Sequence, residues 1–366
     1  MRRIVMAFDS FKGSMTAFEA VEAAAQGALD ACPDAEIVRL PMADGGEGTR
    51  EVLSHYLHCR ECRCESHDAL MRPMVATYAV SGDGQTAVMD MATVAGLSML
   101  SAEERNPLKT STYGVGEMVM DAMRRGCRRI VLGIGGSSTQ DGGTGLLTAL
   151  GVRLLDGQGH DVQPFGGELS RIETIDWSGM VSLEGITIDV VCDVTNPLCG
   201  DNGTSYVYAR QKGAREEDIP VLEAGMRHFA SLCSLSPETP GGGAAGGLGY
   251  ALMLIGARLV HGAEAVVDAA GLERLLTPDT LVLTGEGKID SQTLNGKLPL
   301  EVLRVAQRHR CPVVALAGLV EDREHLLATG FRDVRSINAP GASLAEAMET
   351  AKARLREAVK KLTLRG

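Results

Sequence analysis

The chain of 366 residues is 45% hydrophobic, enough to bury one large core or two moderate ones. A net charge of −11, a pI near 5.3 and only 4% aromatic residues exclude the basic footprint of a nucleic-acid or anionic-membrane binder and the stacking platform of a single-strand reader. Its 44 glycines are clustered and exceed the roughly 7% of average usage, which points to loops built to approach a ligand closely.

At the start, two arginines precede an apolar run too short for a secretory leader, and no stretch approaches the roughly 18 apolar residues of a spanning helix. The nine cysteines therefore read as reduced thiols of a cytoplasmic protein. Residues 4–8 predict a strand that runs into Asp9-Ser10-Phe11-Lys12-Gly13-Ser14. Residues 17–31 carry a helical apolar stripe broken at Cys32-Pro33, and residues 37–40 predict a second strand entering Asp44-Gly45-Gly46-Glu47-Gly48-Thr49. This β-α-β order puts loops at the carboxyl ends of strands, where open α/β sheets bind ligands.

The next segment holds His55, His58, Cys59, Cys62, Cys64 and His67. A zinc site is disfavoured there, because no second Cys-x-x-Cys pair follows and a strand-like alternation would split the ligands between two faces. Residues 74–80 and 86–91 predict an antiparallel hairpin, and residues 129–134 and 186–192 two further strands. The glycine-rich run 241–249 leads into a predicted helix over 250–260. It could serve as an anion site at a helix N-terminus or as a flexible spacer. Near the end come a strand over 280–284 entering Gly285-Glu286-Gly287-Lys288-Ile289-Asp290, a helix over 300–308, strands over 313–317 and 334–337, and a long charged helix over 343–364. The pattern predicts an α/β protein of two domains. A Rossmann-like parallel-sheet domain is formed by residues 1–60 plus 265–366, and a mixed α/β domain of residues 61–264 is inserted into it.

Three loops combine glycine with an acidic residue, 44–49, 135–143 and 284–290, and a fourth, 192–197, carries Asp193 without glycine. Converging backbone N–H groups can hold phosphate, and carboxylates beside them can hold Mg²⁺, which is the mixture phosphoryl transfer requires. Each loop alone could equally be a structural turn with a solvated or capping Asp. There is no Walker A sequence, no protein-kinase signature and no G-x-S-x-G elbow. A relaxed dinucleotide pattern at 82–87 falls in a hairpin turn and is set aside.

At these loops the chain resembles the type I glycerate kinases along essentially its whole length. The resemblance is carried by Asp9-Ser10-Phe11-Lys12-Gly13-Ser14, Pro41 to Thr49, Gly133 to Gly143, Cys192-Asp193-Val194-Thr195-Asn196-Pro197, Gln211-Lys212-Gly213, Gly243 to Gly249, Thr284 to Gln292, and Gly296-Lys297. It implies a two-domain α/β fold with a Rossmann- or flavodoxin-like domain, ATP with Mg²⁺, and phosphorylation of D-glycerate, usually at the 2-hydroxyl, in glyoxylate or sugar-acid catabolism. Implied partners are these small molecules, with no nucleic acid or membrane, for a monomer or homodimer with its active site in the cleft between domains. Two departures stand out. Gln140 lengthens the amide of the family's usual Ser-Ala-Thr-Asn-Asp, and the Cys59–Cys64 cluster has no counterpart.

On this reading Asp193 is the leading catalytic carboxylate, as base or metal organiser, with Lys12 and Asp44 beside it in catalysis. Ser10, Ser14, Ser137, Ser138, Asp141, Asn196, Lys212, Gly246 and Gly247 are expected at substrate or phosphate. Glu286, Lys288 and Asp290 are expected at nucleotide, and Asp44, Glu286 and Asp290 at Mg²⁺. The alternatives are a 3-phosphate product, another short hydroxy acid as acceptor, or a non-catalytic sensor of a phosphorylated acid.

Overall fold

A computed structural model describes residues 3–46, 48–290, 293, 296–339 and 341–362. Glu47, Ser291 and Gln292 of the motifs above lie outside the described residues. The chain packs as two units, Met1–Tyr56 with His261–Gly366, and Leu57–Val260.

In the first unit five parallel strands lie in the order Asp333–Ser336, Val313–Val320, Leu281–Ile289, Arg3–Phe8, Glu36–Pro41. The chain's own first strand is thus an interior one, between Leu281–Ile289 and Glu36–Pro41, and its residues 4–8 are fully buried, as expected of a parallel sheet covered on both faces. The helix Ala17–Ala31 begins at a capping box: the Glu19 N–H donates to Thr16 Oγ1 at 3.2 Å, and the Thr16 N–H donates to Glu19 Oε2 at 2.9 Å. Its Ala20, Val21, Ala24, Ala25 and Ala28 face the core.

Two expectations are corrected here. The strand expected to end at 284 continues to Ile289, because pairing with Val313–Val320 runs on to Ile289 opposite Val320. Gly285 is there for close approach, since a Cβ on it would lie 1.9 Å from the Leu316 carbonyl oxygen. The long terminal helix is two helices, Leu344–Glu349 and Ala351–Lys360. At the joint, Thr350 leaves the helical conformation (ψ 3°) while its hydroxyl donates to the Glu346 carbonyl at 2.7 Å.

In the second unit six strands lie in the order Arg258–Val260, Thr187–Val191, Arg129–Gly133, Thr86–Asp90, Pro73–Val80, Arg60–His67. The first four are parallel, and the last two add antiparallel pairs. Strand Arg60–His67 alternates as expected, with Cys62 and Cys64 in the core while Arg63 and Glu65 face outward. The helix expected over 250–260 is instead Leu248–Leu254. Gly256, at φ +86°, ends it, with the Ala257 N–H reaching back to the Leu252 carbonyl at 3.0 Å, and the chain then joins the sheet edge as Arg258–Val260.

Candidate active site

Three neighbouring strands of the first unit deliver one carboxylate each. Asp9 follows Arg3–Phe8, Asp44 follows Glu36–Pro41 in the adjoining loop, and Glu286 lies on Leu281–Ile289. One oxygen of each lies within 4.8 Å of the other two. Asp9 is only 2% exposed, and burial, followed by the charge of Asp44, pushes its pKa up to about 8. Burial also lifts Glu286 to about 7, against the pull of Lys297 and of the Thr293 hydroxyl, which donates to Glu286 Oε1 at 3.0 Å. Three acids so placed cannot all ionise cheaply unless a cation joins them. The donor set is all carboxylate oxygen, which suits Mg²⁺ and not a soft metal.

The surrounding loops hold this arrangement. The Ser10 N–H donates to Asp9 Oδ1 at 2.6 Å, and the Gly46 N–H to Asp44 Oδ1 at 3.0 Å. Lys12 Nζ stands 3.7 Å from Asp44 Oδ2 on a side chain 63% exposed, so it is loosely held and free to swing to an anionic ligand. Ser14 Oγ donates to the Met348 carbonyl at 3.3 Å. Asp290 does not join the three acids. It pairs with Lys288 Nζ at 3.0 Å, and Lys288 also meets Glu321 at 3.0 Å. A cavity of about 350 Å³ opens on one side of the 9–14 segment.

In the second unit the glycine-rich loops bind chiefly to one another. Asp141 is fully buried and accepts from the Thr112 N–H and hydroxyl, both at 2.7 Å, and from the Gly143 and Gly145 N–H groups, both at 3.1 Å. It therefore organises its own loop and the start of helix Thr144–Ala149. Ser138 is buried with its hydroxyl on the Ala95 carbonyl at 2.9 Å, whereas nearly buried Ser137 is bridged through its backbone to Gly96. Lys212 is buried, donates to the Thr139 carbonyl at 2.7 Å, and is pulled down to about 7 by desolvation, with Asp141 opposing that fall. Gly246 and Gly247 adopt positive φ and pack on loop 139–143. A Cβ on Gly246 would sit 2.0 Å from the Thr139 carbonyl oxygen. Their glycine is required by loop-on-loop packing, and the helix that follows is Leu248–Leu254. Asn196 is pinned at both ends of its amide, to the Asn202 carbonyl at 2.8 Å and the Tyr208 hydroxyl at 2.7 Å. Asp193, two residues past strand Thr187–Val191, is exposed.

The glycerate kinase family model matches residues 4–365. The chain belongs to the glycerate kinase family. It is 42% identical over 327 residues to glycerate 2-kinase of Escherichia coli K12, covering 87% of this chain and 86% of that one. It is 40% identical over 357 residues to glycerate kinase of Bacillus subtilis 168, covering 95% and 94%. A crystal structure provisionally designated glycerate kinase 2, from Salmonella typhimurium LT2, superposes with a TM-score of 0.86 at 40% identity, covering 98% of this chain and 96% of that one.

This member of the glycerate kinases is thus a phosphotransferase with an alcohol acceptor. Of the residues expected at metal, the fold brings Asp44 and Glu286 together and leaves Asp290 with Lys288. Sequence reasoning gave Asp9 no role, although it is the most buried acid of the three. The available signal was positional: like Asp44, Asp9 is an acid just beyond a strand that feeds a glycine-containing loop.

Proposed function

We propose that the protein transfers the γ-phosphoryl group of Mg-ATP to the 2-hydroxyl of D-glycerate, yielding 2-phosphoglycerate and ADP. The observation that carries this reading is the cluster of Asp9, Asp44 and Glu286 with Lys12 beside it, at the carboxyl ends of a parallel sheet. Among the relatives, the Escherichia coli protein is named a 2-kinase, which favours the 2-phosphate product. Bound by the three carboxylates, Mg²⁺ would hold phosphate oxygens and offset the charge that develops on them.

The chain's own groups do the rest. Lys12 swings from Asp44 to a phosphate oxygen. Asp193 accepts the proton of the glycerate hydroxyl as its oxygen bonds to the γ-phosphorus and the bond to ADP breaks. Lys212, Asp141 and Ser138 hold the loops of the second unit rigid. The nine cysteines form no disulfide, which supports a reducing compartment, and the acceptor fits a role in breaking down glyoxylate or sugar acids. Among the described residues, no helix is long and apolar enough to cross a membrane.

Incubation with D-glycerate, Mg-ATP and the purified protein, followed by phosphorus NMR, tests this. ADP should form only when acid, nucleotide and divalent metal are all present. EDTA should stop turnover, and restored Mg²⁺ should recover it. A 3-phosphate resonance would correct the position of transfer, and tight acid binding without turnover under any divalent metal would replace the kinase with a sensor.

A further inference from the structure

A second cavity of the first unit, about 650 Å³, runs along the carboxyl ends of strands Leu281–Ile289, Val313–Val320 and Asp333–Ser336 and is lined on its other side by the helix Leu344–Glu349. Its volume lies in the range of small-molecule and cofactor sites. Its lining combines two chemistries. Asp9, Lys12, Glu286, Lys288 and Lys297 all border it, so it is continuous with the carboxylate cluster. The chain contains only eight lysines, and three of them are here.

The remaining lining is mostly apolar, interrupted by Ser10, Ser14, Ser336 and Asn338, and two of its apolar residues are left exposed at a cost. Leu344 is 77% exposed and Leu319 49% exposed. Among the described residues of this unit they are the only large apolar side chains exposed to this degree, and both line this cavity. A single exposed leucine needs no explanation, but two on one cavity that also gathers lysines call for a ligand with a flat apolar part and a polyanionic tail.

We infer that this cavity is the nucleotide site of the proposed reaction, with the purine base packed on Leu319 and Leu344 and the polyphosphate carried by Lys12, Lys288 and Lys297 toward the three carboxylates. The base end is then recognised by burial of apolar surface and the tail by charge. Lys288 would exchange part of its pairing with Asp290 and Glu321 for phosphate oxygens. The assignment rests on the kinase reading above for the identity of the nucleotide, but not for the chemistry of the pocket.

The test uses the whole protein without glycerate. Binding of Mg-ADP and of Mg-tripolyphosphate is measured by calorimetry for the unaltered chain and for Leu344→Gln, Leu319→Gln and Leu344→Met. Both leucines are substantially exposed, so melting temperatures should stay close to that of the parent. Each Gln variant should weaken ADP about tenfold or more, with tripolyphosphate nearly unchanged and Leu344→Met close to the parent. ADP affinity unmoved in both Gln variants, equal weakening of tripolyphosphate, or no ADP binding by the parent would each overturn the assignment. Loss of ADP affinity on Leu344→Gln in a protein that never phosphorylates glycerate would uphold the nucleotide site and remove the acceptor instead.

Discussion

Asp193 shows how much of a catalytic role rests on position. It lies two residues past a strand end, exposed, in a loop tied down on the far side by the two hydrogen bonds of Asn196. Pro197 adds to this by biasing Asn196 away from helical conformation. Buried acids of the same unit are spent on protein donors, Asp141 on three backbone N–H groups and the Thr112 hydroxyl, and Asp189 on Arg129 and Arg258. A proton acceptor for an alcohol nucleophile typically contributes ~10²–10⁴-fold. Asp193→Asn should therefore lower kcat at least ~10²-fold in steady-state assays, with KM for glycerate changed far less and the melting temperature preserved. A fall below about tenfold would transfer the role to another carboxylate. A large loss of stability would make Asp193 a cap on its turn.

Among the elements, the helices Ala17–Ala31 and Ala351–Lys360 pack so closely that one of them carries a glycine at mid-length. A Cβ on Gly27 would lie 2.2 Å from the Arg356 carbonyl oxygen and 3.1 Å from Val359 Cβ. The contact ties an N-terminal helix to a C-terminal one, and Arg356 adds a bidentate pair with Asp30 at 2.7 and 3.0 Å. Alanine is the better helix former by about 1 kcal/mol. Overpacking against backbone costs about 1–3 kcal/mol, and a carbonyl cannot move aside as a flexible side chain does. The clash should win. Gly27→Ala is expected to lower the melting temperature by about 2–4 °C in a thermal scan, where an unpacked helix would gain stability.

At the scale of the whole molecule the two units are built differently. Leu57–Val260 is one continuous stretch with a complete six-stranded sheet and its own apolar core. The other unit draws one interior strand, Arg3–Phe8, from the start of the chain and pairs it with the central strand, Leu281–Ile289, from the far end. Residues 57–260 expressed alone should therefore fold and unfold in one cooperative transition by circular dichroism. Residues 1–56 alone should stay unfolded, since Arg3–Phe8 loses its pairing with Leu281–Ile289 and most of the core is missing. A broad, non-cooperative melt of the 57–260 fragment would show that its core depends on the rest of the chain.

What the sequence determined by itself is local in origin. The apolar periodicities of residues 4–8, 17–31, 74–80 and 86–91 marked their elements because strand and helix periods are written in consecutive residues. The Asp-Gly and Lys-Gly loops marked the family because motif order survives without coordinates. Tertiary structure decided the rest. Asp9, Asp44 and Glu286 become neighbours only through the parallel register of three strands, two of which lie more than 270 residues apart in the chain. No local pattern encodes that register. Burial then separated residues that looked alike in sequence. Asp141 and Lys212 disappear into a loop scaffold while Asp193 stays exposed, because how much of a polar group reaches solvent depends on what packs over it.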